Sequence, residues 1–162
     1  MPSDRKSRGP LPVEPVPLVE AIDLVDAAPL ALLALGIPRC GACEVLPASL
    51  GEIAAARPSL TVAYGWLSSP AEWEARSDLL WPRGIRVARA SVPAMALLRD
   101  GTAIERRYGG GPAGAIDAWL EPILGPSEAS LTLEPTPLEQ EALESTAQLR
   151  ARQTRRKAAL LD

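Results

Sequence analysis

Histidine and phenylalanine are absent from the 162 residues, lysine occurs only as Lys6 and Lys157, and cysteine only as Cys40 and Cys43. The missing histidine removes Ser-His-Asp triads, histidine general bases and histidine metal ligands together. Arginine and alanine stand where lysine and phenylalanine would, a compositional bias that carries little chemistry. No apolar run reaches the roughly 18 residues of a membrane span. The best stretch, Ala27 to Ile37, is too short and is broken by Pro29 and Gly36. The first residues, Met-Pro-Ser-Asp-Arg-Lys-Ser-Arg-Gly-Pro, lead into more prolines and not into an apolar segment. No signal peptide is therefore expected, and the cytoplasm is the expected compartment. With a net charge of −3, the chain has no global basic field to hold nucleic acid. What remains, 47% apolar and 23% charged residues, is the composition of a globular protein.

Proline is abundant, at 17 residues, and clusters near the ends, five in residues 1–17 and three in 126–137. Residues 1–17 have too few large apolar groups to offset the entropy of ordering and read as a disordered arm. Residues 18–125 carry the periodic apolar signal and read as the domain, 126–137 as a linker, and 138–162 as a helical tail. Inside the domain the spacing predicts a helix over Leu18 to Ala28 and a short buried strand over Leu30 to Leu35. A second helix is expected over Cys43 to Ala56 and a strand over Leu60 to Leu67. Ser68 or Ser69 caps a third helix, with Pro70 in its first turn, running to about Leu80. Asp100-Gly101 between Ala94 to Arg99 and Thr102 to Tyr108 is a hairpin signal, and a last helix covers Pro112 to Leu124. The order α-β-α-β-α-β-β-α calls for an α/β domain with a parallel portion and an antiparallel edge.

Reactivity concentrates in Cys40-Gly41-Ala42-Cys43, between a buried strand and a helix start. Free amides at a helix N-terminus stabilise a thiolate, and the thiolate is the attacking species. A three-residue spacing lets both sulfurs meet on the first turn. Cys40, at the entry and beside the positive Arg39, is the expected nucleophile, and Cys43, one turn in, the expected resolving thiol. Two other readings stay open. The pair is half of a zinc site only if a second chain supplies the other ligands. It is also compatible with an inert pair in a scaffold that no longer turns over.

These residues, together with segments on either side of them, resemble the thioredoxin family over residues 18–125. Leu30 to Cys43 resembles the strand entering the family's active-site motif. Leu60-Thr61-Val62-Ala63 resembles the next strand. Ser91-Val92-Pro93 followed by Ala94 to Gly101 resembles its proline and edge hairpin, and Arg107-Tyr108-Gly109-Gly110 with the helix to Leu120 resembles its end. The resemblance implies a three-layer α/β/α sandwich with a mixed central sheet, to which the tail adds one helix. It implies disulfide oxidoreductase activity through a redox-active Cys40–Cys43 pair, with no further cofactor and no metal. It also implies a cis Val92–Pro93 bond lying against the cysteines, and a substrate groove formed by Arg39, Gly41, Ala42, Val92, Pro93 and Gly109.

Departures from the family pattern narrow the expected function. Arg39 and Gly41-Ala42 stand where the family usually has Trp and Gly-Pro. Ala34 and Tyr64 stand where it buries an acid and a lysine, so Cys43 lacks the usual proton acceptor. Residues 84–91 are longer than the family's approach to its proline by roughly one turn, and carry Arg86 and Arg89. The expected function is thiol–disulfide exchange with a restricted set of protein partners. The alternative is a binding or chaperone-like subunit that uses the same groove without turnover. In the tail, Glu139, Glu141 and Glu144 precede Arg150, Arg152, Arg155, Arg156 and Lys157, which complements a helix dipole. Its basic end is expected to dock on an acidic partner surface, and not on RNA, since no aromatic residue interleaves the charges. No membrane partner is expected.

Overall fold

A computed structural model describes residues 9–127 of the chain. The expected linker beyond Ser127 and the whole helical tail lie outside the described residues. Five strands and four helices follow in order: β1 Val16–Pro17, α1 Leu18–Asp26, β2 Leu30–Gly36, α2 Gly41–Ala56, β3 Thr61–Trp66, α3 Pro70–Leu79, β4 Ala94–Arg99, β5 Thr102–Tyr108 and α4 Ala113–Leu124. The sheet order is β1-β3-β2-β4-β5. β1 and β2 each pair parallel with β3, while β4 runs antiparallel to both β2 and β5. This is the three-layer α/β/α sandwich with a mixed sheet that the sequence led us to expect. Among the described residues no helix is long and apolar enough to cross a membrane.

β2 sits at the centre, covered on both faces, which is why Leu-Ala-Leu-Leu-Ala-Leu-Gly shows no polar alternation. Its Ala31, Leu33 and Leu35 pack toward α1 and α3 with Ile22, Val25 and Trp73. Its Leu32 and Ala34 pack toward α2 and α4 with Leu46, Ile53 and Leu120. The hairpin falls at Asp100-Gly101, both with positive φ (50° and 79°), the geometry a two-residue turn demands. Ser69 is the residue that caps α3: its hydroxyl accepts from Glu72 N–H at 3.2 Å and Pro70 opens the helix.

The arm assigned to residues 1–17 needs correction in its inner half, since only residues 1–8 lie outside the described residues. Val13 N–H donates to the Pro47 carbonyl at 2.9 Å, and Val16–Pro17 adds a parallel edge strand beside Gly65 and Trp66. Proline lacks the donor for an interior strand but is tolerated at an edge. The Leu11 backbone lies so close to Gly51 of α2 that a Cβ there would collide with the Leu11 carbonyl. A proline-rich segment thus follows the domain surface by backbone contacts, which apolar periodicity does not reveal.

One buried ion pair closes the far end of the sandwich. Arg57, the residue that ends α2, donates through Nε to Asp117 of α4 at 2.7 Å and through Nη2 to the Gly125 carbonyl at 2.8 Å. Both side chains are nearly inaccessible, so removing one leaves a buried charge alone. Asp117→Ala is expected to lower unfolding stability by about 3 kcal/mol, read as a lower urea midpoint at unchanged slope. A loss below about 1 kcal/mol would mean that water reaches the guanidinium and the pair is not the clasp described.

Candidate active site

The buried β2 ends at Gly36, and three residues later the chain turns sharply. Arg39 takes φ 61°, a left-handed conformation that costs a non-glycine residue about 1 kcal/mol. That turn delivers Cys40 to the N-cap of α2 in extended conformation. Cys40 Sγ accepts from Cys43 N–H at 3.3 Å, so the sulfur occupies the place of a capping oxygen. The two cysteines form a disulfide with Cα atoms 5.1 Å apart. They are unequal: Cys40 is half-buried and Cys43 fully buried. The Cys40 sulfur faces the first-turn amides of α2, with Arg39 exposed just before it and Glu44 exposed on the same turn.

Opposite the cysteines, the Val92–Pro93 bond is cis, as the family resemblance implied. Pro93 is buried and Val92 half-buried. The Pro93 carbonyl accepts from Gly109 N–H at 2.7 Å. The neighbouring Gly110 fills the space between the two loops: a Cβ there would lie 3.6 Å from Pro93 Cγ and 3.7 Å from the Ala42 carbonyl. The structure therefore brings Cys40, Ala42, Cys43, Pro93 and Gly109 into one neighbourhood. Arg39 and Gly41 stand exposed at its rim. Among the described residues no group of three or more acidic or cysteine side chains is placed to hold a metal.

The floor under Cys43 is where sequence reasoning missed a contact. Ala34 and Tyr64 are register partners on β2 and β3, both buried. The Tyr64 hydroxyl donates to the Cys43 carbonyl at 2.6 Å. In an ideal helix that carbonyl would accept from the amide four residues on, but residue 47 is proline and has none. Tyr64 supplies the missing donor. Its hydroxyl also requires Gly36 beside it: a Cβ at Gly36 would collide with that oxygen and lie 3.1 Å from Cys43 Cβ. Burial pushes the Tyr64 phenol up to about 12, so it stays a neutral donor throughout the working pH range. The buried charged side chains among the described residues, Arg57 and Asp117, lie at the other end of α2. Among the described residues, no buried carboxylate therefore stands below Cys43. Pro47, four residues after Cys43, was the available signal for an outside donor.

The fold is shared with solved structures. The chain is similar to thioredoxin f2 from Chlamydomonas reinhardtii, with a TM-score of 0.54 at 16% identity, covering 70% of this chain and 98% of that one. The chain has a thioredoxin-like fold. A mutant thioredoxin from Halobacterium salinarum NRC-1 is similar at TM-score 0.50 and 23% identity, over 69% of this chain and 92% of its own. A redox protein from Chlamydomonas reinhardtii aligns at TM-score 0.54 and 16% identity, over 75% of this chain and 37% of its own. No family model and no curated protein matches the sequence. Within this thioredoxin-like fold, the neutral Tyr64 phenol stands beneath the second cysteine.

The coupling between Tyr64 and Pro47 is testable by a double-mutant cycle. Tyr64→Phe alone is expected to cost about 1–2 kcal/mol, because a buried carbonyl loses its donor. Pro47→Ala restores the helical N–H, so in that background Tyr64→Phe is expected to cost less than half as much. Equal costs in both backgrounds, from urea unfolding, would mean that the hydroxyl acts elsewhere.

Proposed function

We propose that the protein is a thiol–disulfide oxidoreductase that exchanges disulfides with a restricted set of protein partners in a reducing cytoplasm. The observation that carries this reading is the asymmetric cysteine pair: an accessible sulfur capping a helix and a buried one within bonding distance, beside a cis-proline loop. In the reduced form, the Cys40 thiolate attacks one sulfur of a partner disulfide. That S–S bond breaks and the other partner sulfur leaves as a thiolate that takes up a proton. Cys43 then loses its proton and attacks Cys40 Sγ, expelling the second partner thiol. The partner gains two electrons and two protons, and the protein is left with the Cys40–Cys43 disulfide, to be reduced again by an external dithiol. The partner backbone lies along Val92–Pro93, with Arg39, Gly41, Ala42 and Gly109 at the rim. The cysteines themselves carry the electrons, so the reaction needs no cofactor.

The missing carboxylate below Cys43 favours a second reading, a binding or chaperone-like subunit with little turnover. One experiment separates the two. Alkylation of the reduced protein at mildly acidic pH is expected to label Cys40 before Cys43. Cys43→Ser incubated with lysate is expected to accumulate mixed disulfides through Cys40, because the resolving step is gone. Prior labelling of Cys43 would overturn the role assignment, and absence of any mixed disulfide would favour the binding subunit.

A further inference from the structure

Beside the cysteine loop lies a cavity of about 210 Å³ that the thiol–disulfide exchange itself does not use. Its walls include Ile37 and Pro38, which lead into Arg39 and Cys40, then Leu67 just after β3, Pro70 at the start of α3, Trp73 within it, and Arg89 from the cis-proline loop. It therefore touches both loops between which a partner's target cysteine must lie. Its size suits one side chain of that partner.

The chemistry of the wall is cationic and aromatic. From residue 79 to residue 99 the chain has no acidic residue, but carries Arg83, Arg86, Arg89 and Arg99. Arg83 is paired with Asp26 at 2.5 Å. Arg86 and Arg89 have no carboxylate within ion-pair distance among the described residues, and both are exposed. Each guanidinium lies over a tryptophan, Arg86 4.8 Å from the Trp81 ring centre and Arg89 5.1 Å from that of Trp73. Arg76 lies over Trp73 as well, at 5.2 Å. Stacking orders a guanidinium without consuming its N–H edge, the edge that recognises a carboxylate bidentately. The segment is also held in place, since Ser91 Oγ accepts from Ala88 N–H and donates to the Ala88 carbonyl, both at 2.9 Å.

Glu72 stands beside this wall, hydrogen-bonded to Ser68 and Ser69, which also line the cavity. Its carboxylate accepts from the Leu18 N–H at 3.1 Å and from the Ser68 and Ser69 hydroxyls at 2.8 and 3.2 Å. Burial works against its ionisation, but these hydrogen bonds outweigh it and hold the carboxyl below its ordinary range. Glu72 thus remains an anion engaged with the starts of α1 and α3, and it makes no ion pair with Arg89.

We propose that this cavity is a specificity subsite for an acidic side chain next to the target cysteine of a protein partner, with Arg89 as its carboxylate-reading residue and Arg86 strengthening the local positive field. The subsite rests on the thiol–disulfide reading for its role in turnover. Its binding preference is measurable without redox chemistry.

The test uses the full-length protein and labelled octapeptides in which serine replaces the target cysteine and Glu, Gln or Lys flanks it. Fluorescence anisotropy at low salt is expected to show the Glu peptide binding at least about ten-fold tighter than the Lys peptide. Arg89→Gln is expected to remove most of that ratio, and Arg89→Lys to leave an intermediate one, because the charge stays while the planar fork is lost. Equal binding of the three peptides, or an unchanged ratio in Arg89→Gln, would overturn the subsite. So would a single-stranded oligonucleotide of equal charge that displaces the Glu peptide completely at lower concentration. In parallel, the reduced wild-type protein is mixed with hydroxyethyl disulfide, which has no side chain for the cavity to read. Failure to reduce it counts against the oxidoreductase reading alone, and the peptide ratio decides the subsite either way.

Discussion

The position at which α2 begins governs the rest of the site. A helix that starts at Gly41 places the Cys40 sulfur over free amides and buries Cys43 one turn in. It also points the Cys43 carbonyl at a proline that cannot answer it. The Tyr64 hydroxyl answers instead, and its place depends on β3 lying in register with β2, Ala34 opposite Tyr64. Sheet register, a glycine at the end of β2 and the helix start are therefore one coupled arrangement. A shift in any of them moves a sulfur.

That coupling gives Cys43 a neutral floor. A phenol raised to about 12 by burial donates a hydrogen bond but does not accept the proton of Cys43 at neutral pH. If Cys43 resolves a mixed disulfide as proposed, its proton leaves by another route, with solvent at the mouth of the site as acceptor. A longer-lived mixed disulfide would then give the proposed Arg89 subsite time to select the partner.

Much of this was legible in the residues. The hairpin ends fall where Asp100-Gly101 put them, and the run Leu30 to Leu35, consistent with a buried strand, is one. Cys40-Gly41-Ala42-Cys43 announced both the site and its place at a helix start. What stayed hidden were contacts made by groups that apolar periodicity ignores. β1 consists of Val16 and a proline, too short to show alternation. The Tyr64–Cys43 bond joins residues 21 positions apart through a backbone carbonyl. The Trp73–Arg89 stack joins a helix to a loop across the fold. In the last two cases the local signal, a proline in a helix or an arginine-rich segment without acids, said that a partner was needed but not which residue it would be.

The central claim, that Cys40 and Cys43 form a reversible two-electron couple, is tested most directly by thiol counting. The protein is equilibrated across a series of dithiol redox buffers, quenched with an alkylating mass tag and read by mass spectrometry. Two thiols are expected to appear together, with a transition of about 30 mV per decade, the slope of a two-electron couple. Thiols that appear one at a time, or a pair that does not change across the whole buffer range, would contradict it.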